Sequence, residues 1–137
     1  MSVTLNPYLS FRDTAREAIE FYQTVFGGDL TVSTFRDFHA EEDESELDKV
    51  MHSQLNAPGG IVLMAADTPN RMEYTPGGSI SVSLSGDDEP TLRRYWDGLT
   101  AGATVTQPLE QAPWGDWFGM LVDRFGVSWL VNISAQS

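Results

Sequence analysis

The sequence lacks cysteine and is poor in lysine and histidine. It contains no cysteine, two histidines and a single lysine, Lys49, among its 137 residues. The absence of cysteine excludes disulfides, thiolate nucleophiles and cysteine-ligated metals, and it fits the cytoplasmic location that we expect. Long apolar runs are missing too, since the longest, near Ile61–Ala66, is far shorter than the ~20 residues that span a bilayer. The N-terminus shows no signal-peptide pattern, so we expect no membrane partner.

Positive charge is also scarce. Twenty acidic residues against eight basic ones give a net charge of −12. A field of that sign repels phosphate backbones, so we expect no nucleic-acid partner. The same charge favours cationic ligands, although it also serves solubility alone. Seven carboxylates fall between Asp37 and Asp48, and such a run predicts a solvated loop or a short exposed helix.

The remaining composition is that of an ordinary globular protein. Hydrophobic residues make up 41% of the chain and aromatic residues 11%, which is enough to build a core. The length fits one domain, which we place at residues 1–137.

The chain nearly repeats itself. A strand–helix–strand pattern returns 73 residues later, with Leu9, Phe11, Ile19, Tyr22, Phe26 and Val32 matched by Val82, Leu84, Leu92, Tyr95, Leu99 and Val105. A second match, between residues 60–64 and 126–130, has an offset of 66. The repeat predicts a pseudo-symmetric domain whose pocket would be lined by equivalent strands. We place module one at about residues 1–67, the linker at about 68–78 and module two at about 79–137.

Periodicity and turn residues predict a β-α-β-β-β order in both modules. Module one is expected to have a helix from about Ala15 to Phe26, ended by Gly27-Gly28, and strands at Val3–Phe11, Leu30–Phe38, Val50–Leu55 and Ile61–Ala66. Module two is expected to have a helix from about Pro90 to Leu99 and strands at Ser79–Ser85, Thr104–Gln107, Trp117–Val122 and Val127–Ile133. The expected helix caps are Asp13 or Thr14, and Asp87 or Asp88.

Several short motifs accompany this order: Asn6-Pro-Tyr-Leu-Ser-Phe11, Ala15-Arg-Glu-Ala-Ile-Glu-Phe-Tyr22 with Phe26-Gly-Gly28, Val50-Met-His52, Trp114-Gly115 and Asp123-Arg-Phe-Gly-Val-Ser-Trp129. Two such modules resemble the vicinal-oxygen-chelate superfamily, which includes glyoxalase I, extradiol dioxygenases and bleomycin-resistance proteins. The motifs are similar to those of its PhnB-like branch, often labelled 3-demethylubiquinone-9 3-methyltransferase. The resemblance implies an α+β fold in which the two modules form a half-open sheet with a cleft, and we expect a homodimer.

In the metal enzymes of that superfamily, each module gives two ligands, usually histidine and glutamate, from its first and last strands. The resemblance places these positions at Asn6 and Met64 in module one. In module two it places them at Leu130 and at Ser79, or at Ser81 if the turn before Asp87 is counted differently. These residues offer no imidazole or carboxylate to a hard cation. We therefore predict no metal at the standard site and no cofactor.

The two histidines are His39 and His52. His39 lies beside the acidic run, where an exposed loop residue and a carboxylate–histidine metal site are both conceivable. His52 lies on a predicted strand, with Gln54 on the same face. Histidine is the side chain most suited to proton exchange near neutral pH, so His52 is the best catalytic candidate, but a half-buried structural role is equally open.

Alternation along the strands adds further candidates. Asn6, Tyr8 and Ser10 share one face of the first strand, and Ser79, Ser81 and Ser83 share one face of its counterpart. Trp114, Trp117 and Phe118 could stack on a planar or cationic ligand, or could be core or dimer contacts. The predicted ligand-binding set is therefore Asn6, Tyr8, His52, Gln54, Met64, Ser79, Ser81, Trp114 and Trp117.

Phosphate loops, nucleophile elbows and the glycine-rich strand–helix turn of methyl-donor sites are missing, which argues against the methyltransferase label. The interpretation we prefer is a metal-independent protein that binds a small organic ligand in the cleft, and the sequence leaves open whether it is an enzyme. One alternative is a lyase or dioxygenase of the glyoxalase type with a displaced metal site around His52. The other is a non-catalytic dimer that either has a regulatory role or sequesters an antibiotic.

Overall fold

The fold is described from a computed structural model, which covers residues 3–38, 44–75 and 79–135. His39 and residues 41–43 of the acidic run lie outside these residues. The chain divides into two compact units, Met1–Pro76 and Gly77–Ser137. Among the described residues, none of the helices has the length and apolar character needed to cross a bilayer.

Both units follow the predicted β-α-β-β-β order. The first unit contains a helix, α1 (Ala15–Phe26), and the strands β1 (Tyr8–Phe11), β2 (Asp29–Thr34), β3 (Val50–Ala57) and β4 (Ile61–Asp67). The second contains a helix, α2 (Glu89–Leu99), and the strands β5 (Val82–Gly86), β6 (Thr104–Gln111), β7 (Trp117–Val122) and β8 (Ser128–Ile133). The strand order is β1-β4-β3-β2 in the first sheet and β5-β8-β7-β6 in the second. The fold is therefore α+β, as predicted.

In the first unit, α1 packs on one face of the sheet. Its buried side chains recur at helical spacing and include Ala18, Ile19, Tyr22 and Phe26. They meet the inward residues of β3 and β4, among them Leu55 and Leu63, Ala65 and Ser53. Ser53 is fully buried, and its hydroxyl donates to the carbonyl of Ala65 at 2.7 Å, so this polar group is satisfied within the core.

In the second unit, α2 packs on its sheet in the same way. Leu92, Tyr95, Trp96 and Leu99 face strand residues that include Trp129 and Val131. Gly119 on β7 leaves room for the Trp96 ring, because a Cβ at this position would lie only 2.8 Å from it. The helix therefore depends on the absence of a side chain at this point of the sheet.

The strand bounds differ most from the predicted ones at four places. β1 begins at Tyr8 rather than Val3, just after Pro7, which has no N–H to donate to the ladder. β2 ends at Thr34, after a register shift against β3. β5 begins at Val82, so Ser79 and Ser81 precede it. β6 continues through Pro108 to Gln111, because an edge strand tolerates a proline and two register shifts.

The strand registers correct the repeat offset. Tyr8 pairs with Met64, and Ser83 pairs with Leu130. Met64 and Leu130 are 66 residues apart, so Tyr8 corresponds to Ser83, at an offset of 75 rather than 73. The helix ends, Phe26 and Leu99, keep the offset of 73. A shift of two residues leaves every side chain on the same face, which is why the sequence pattern concealed it.

One residue in the described part of the acidic run is buried, although the run was predicted to be a solvated loop or a short exposed helix. Its last part forms a short 3₁₀ turn at Glu44–Glu46, and the Glu46 side chain is buried. One oxygen of Glu46 accepts from the backbone N–H of Asn70 at 2.6 Å and lies 3.6 Å from the Lys49 ammonium group. This carboxylate therefore ties the run to the segment after β4, whereas composition alone indicated solvent.

Candidate functional site

Predicted ligand residues meet on the face of the first sheet opposite α1. Because Leu55, Leu63 and Ala65 point towards the helix, their strand neighbours point away from it. Tyr8 on β1 pairs with Met64 on β4, and Met64 pairs with Gln54 on β3. These three side chains form one row across three adjacent strands. His52 lies two residues before Gln54 on this same face.

His52 and Tyr8 approach each other across the intervening strand. Their ring centroids are 6.0 Å apart, with the ring planes tilted by 34°. Tyr8 is 52% exposed, and His52 is half-buried. The Gln54 amide nitrogen donates to the Asn56 side chain at 3.0 Å, which fixes the orientation of the amide. The group therefore offers a phenol, an imidazole and an amide beside a thioether, a set that suits hydrogen bonding and stacking.

A cavity of about 240 Å³ adjoins this group. Tyr8 and Ser10 line it together with apolar residues that include Phe35, Met51 and Met72. Arg12 holds the segment that follows β4, because its guanidinium donates to the carbonyls of Thr68, Pro69 and Met72. The cavity wall is therefore fastened to the end of β1.

The equivalent face of the second sheet is more apolar. At the offset of 66 that links the hairpin strands, His52 corresponds to Phe118 and Gln54 to Met120. Phe118 and Met120 line a groove of about 350 Å³, together with Trp114 and residues of β6. Sequence reasoning named Trp114 and Phe118 but missed Met120 and Gln107. The repeat could have revealed Met120, because it is the counterpart of Gln54.

The remaining candidates do not join either group. Trp117 points to the helix side of the second sheet, where its ring lies 4.8 Å from the guanidinium carbon of Arg93 on α2. Ser79 and Ser81 are exposed before β5. Asn6 is half-buried before β1 and donates to the Thr4 hydroxyl at 3.1 Å. With the strand offset of 75, Ser81 rather than Ser79 corresponds to Asn6.

The superfamily's metal positions therefore fall at Asn6 and Met64 and at Ser81 and Leu130. An amide, a thioether, a hydroxyl and an alkyl group do not fit a hard divalent cation. Within residues 3–38, 44–75 and 79–135, no three histidine, cysteine, aspartate or glutamate side chains are grouped so that they could hold a metal ion. This set of donors therefore does not fit the superfamily's standard metal.

Solved structures define the class of this protein. The structure of protein PA1353 from Pseudomonas aeruginosa is similar to this chain, with 34% sequence identity and a TM-score of 0.84. The match covers 98% of this chain and 100% of the other. A putative 3-demethylubiquinone-9 3-methyltransferase, PhnB protein, from Bacillus cereus is 22% identical over 96% of the chain and 100% of its own, with a TM-score of 0.75. A glyoxylase/bleomycin resistance protein/dioxygenase domain from Frankia is 16% identical, with a TM-score of 0.69. The match covers 100% of this chain and 95% of that domain. The chain therefore has the glyoxalase/bleomycin-resistance fold, as predicted.

The family is narrower than the fold. Residues 3–132 match the family described as 3-demethylubiquinone-9 3-methyltransferase. The chain belongs to this PhnB-like family, which confirms the resemblance found in the sequence.

Proposed function

We propose that this protein binds a small organic molecule on the face of the first sheet opposite α1, without the superfamily's standard metal. The observation that supports the proposal is the meeting of Tyr8, His52, Gln54 and Met64 on this face. Four chemically different side chains from three strands converge there beside a cavity. Binding sites for small molecules commonly combine an apolar wall with a few convergent polar groups in this way.

In this proposal each side chain has a distinct role. The Tyr8 ring gives a half-exposed surface for stacking, and its hydroxyl can donate or accept a hydrogen bond. The Gln54 carbonyl oxygen can accept a hydrogen bond from the ligand, because the bond from the Gln54 amide nitrogen to Asn56 fixes the orientation of the amide. His52 is the group through which a proton could be exchanged with the ligand. Met64 supplies an adaptable apolar contact between Tyr8 and Gln54.

Ligand screening tests this proposal. A metabolite library is screened by thermal shift, because a ligand that binds only the folded state raises apparent stability. Each stabilising compound is then titrated by calorimetry into the wild type and into the Tyr8→Ala and Gln54→Ala variants. We expect each variant to weaken binding by about ten-fold, equivalent to about 1.4 kcal/mol.

Glu20→Gln is the matched control, because Glu20 is an exposed residue of α1 on the other side of the sheet. Its affinity for the same compound should equal that of the wild type. Full retention of affinity in both Tyr8→Ala and Gln54→Ala would place the ligand elsewhere and overturn the proposal. A library without any stabilising compound would shift the balance towards a regulatory or scaffold role.

A further inference from the structure

The groove of the second unit has features of a binding site in its own right. It measures about 350 Å³, and every residue that lines it belongs to the second unit. Its floor is formed by Phe118 and Met120 of β7, and its walls come from β6 and the β6–β7 connection. This volume lies within the range of small-molecule sites and accommodates a ligand of two or three fused rings.

The aromatic wall of the groove is exposed but held in place. Trp114 is 65% exposed, yet its ring meets Phe118 edge-on, with centroids 6.2 Å apart and planes at 62°. The Trp114 indole also helps to stabilise the charged form of the Asp116 carboxylate. That carboxylate in turn accepts from the backbone N–H of Ala135 at 2.8 Å and from the Asn132 amide at 3.1 Å.

These interactions favour the charged form of the Asp116 carboxylate. The pKa of Asp116 lies below its ordinary value, chiefly because the Ala135 N–H stabilises the carboxylate, with further contributions from Asn132 and Trp114. A large aromatic ring fixed in an exposed position loses little entropy when a ligand stacks on it. Trp114 therefore forms a preorganised stacking surface.

The polar side chains of the groove present oxygen atoms to a ligand. The Gln107 amide nitrogen donates to the carbonyl of Pro108 at 3.0 Å and to the Glu110 carboxylate at 3.5 Å, and the Gln111 amide nitrogen donates to the carbonyl of Gly115 at 3.2 Å. Their amide oxygens remain to accept from a ligand. Among the described residues that line the groove, Glu110 is the charged one, and none is a lysine, arginine or histidine. The groove thus combines a π-face with oxygen acceptors and a negative charge.

We propose that this groove binds a planar aromatic molecule that carries a positive charge or N–H donors at its edge. The ring stacks on Trp114, where the indole face also attracts a cation. The charged edge meets the Glu110 carboxylate and the oxygens of Gln107 and Gln111. An anionic aromatic molecule of the same shape should bind more weakly, because it would bring a negative charge close to Glu110 in a strongly acidic protein.

The test uses two tricyclic probes of similar shape and opposite charge, proflavine as the cation and an acridine carboxylate as the anion. Binding to the full-length protein is followed by the fluorescence anisotropy of the probe at low salt. We expect proflavine to bind and the carboxylate to bind at least about ten-fold more weakly. Trp114→Ala should weaken proflavine binding by about ten-fold. Trp114→Phe keeps an aromatic ring and should retain most of the wild-type affinity.

Charge reversal supplies the sharper test. Glu110 is exposed on an edge strand, so Glu110→Lys should leave the fold intact while inverting the preference between the two probes. An unchanged preference would overturn the charge assignment. Failure of Trp114→Ala to alter proflavine binding would overturn the groove as the site.

Tyr8→Ala separates this inference from the proposed function. Tyr8 is also a half-exposed aromatic residue, but it lies in the first unit. Proflavine affinity should be the same in Tyr8→Ala and in the wild type. If Tyr8→Ala weakens proflavine binding and Trp114→Ala does not, the probe occupies the first unit and the groove assignment is wrong. Loss in Trp114→Ala alone supports the groove, whatever the ligand screen shows for Tyr8.

Discussion

Asp123 illustrates at the scale of a residue how one buried side chain organises a turn. One of its oxygens accepts from the backbone N–H groups of Phe125 and Val127, at 2.8 and 3.0 Å. The other accepts from the indole N–H of the buried Trp129 at 2.9 Å. Asp123 therefore links the β7–β8 turn to the core of the second unit. The sequence predicted the strands on either side of this turn, but not the bond to Trp129.

We predict that Asp123→Asn lowers the free energy of unfolding by about 1–3 kcal/mol, because the amide replaces an acceptor with a donor that faces N–H groups. Urea denaturation measures the change. Asp97→Asn is the control. Asp97 is exposed on α2, so this substitution should change the free energy of unfolding by less than about 0.5 kcal/mol. Equal stability of the two variants would show that the Asp123 hydrogen bonds contribute nothing net.

At the scale of elements, the two helices begin in different ways. The start of α2 is capped locally, since the Asp88 side chain accepts from the Thr91 N–H at 3.2 Å. The side chain of Thr14 makes no such bond at the start of α1. Instead, the buried Asp67 at the end of β4 accepts from the N–H groups of Ala15 and Val50, both at 3.0 Å. The first helix is thus capped by a strand that lies far away in sequence.

The end of α1 offers a matched pair of glycines. Gly27 and Gly28 both have positive φ, at 76° and 96°. A Cβ on Gly27 would meet nothing within 4 Å, whereas one on Gly28 would lie 2.2 Å from the backbone oxygen of Asn56. Gly27 has a ψ of −168°, which with its positive φ is a conformation that only glycine ordinarily adopts, so we predict that Gly27→Ala costs about 1–3 kcal/mol from backbone strain alone. Gly28→Ala should cost several kcal/mol more, because β3 must move.

Thermal denaturation of both glycine variants checks this difference, with circular dichroism as the probe. The comparison holds the residue change and the helix end constant, so the clash with Asn56 is the variable that differs. Similar melting temperatures would mean that β3 adjusts freely, contrary to its pairing on both sides with β2 and β4.

At the scale of the whole molecule, negative charge dominates. Twenty acidic side chains face eight basic ones. The ion pairs of the described residues include exposed ones such as Arg36–Asp48 and Arg93–Glu89. Exposed pairs of this kind contribute only about 0–1 kcal/mol each. Mutual repulsion among the unpaired carboxylates therefore opposes folding.

We predict that the melting temperature rises with KCl concentration, because salt screens the repulsion. Differential scanning calorimetry at low and at physiological ionic strength measures the shift. A variant with three exposed carboxylates neutralised, Asp29→Asn, Glu73→Gln and Asp97→Asn, should melt higher at low salt and respond less to KCl. A melting temperature that falls with KCl would mean that ion pairs outweigh repulsion.

Much of the fold could be predicted from the sequence because it is written in local periodicity. The bounds of α1 and β7 agree with the prediction to the residue, since apolar spacing and the adjacent turn residues mark them. The strand starts at Tyr8 and Val82 differ from the predicted ones, because pairing with β4 and with β8 begins only at these residues. Of the candidate site, alternation placed His52 with Gln54 on one face of their strand and Tyr8 with Ser10 on one face of another, and the strand pairing brought these two faces together with Met64. It could not reveal that Trp117 turns towards Arg93 on the other side of its sheet.

The sequence by itself determined the repeated β-α-β-β-β order, the family and the lack of suitable metal donors at the standard positions. Each of these depends on residue identity and short-range spacing, which need no knowledge of partners. Only the tertiary structure decided the offset of 75 between the first strands, the capping of α1 by Asp67 and the bonds from Asn132 and Ala135 to Asp116. These features join residues distant in sequence, or depend on how strands pair, and hydrogen-bond geometry across such distances is set by packing rather than by local pattern.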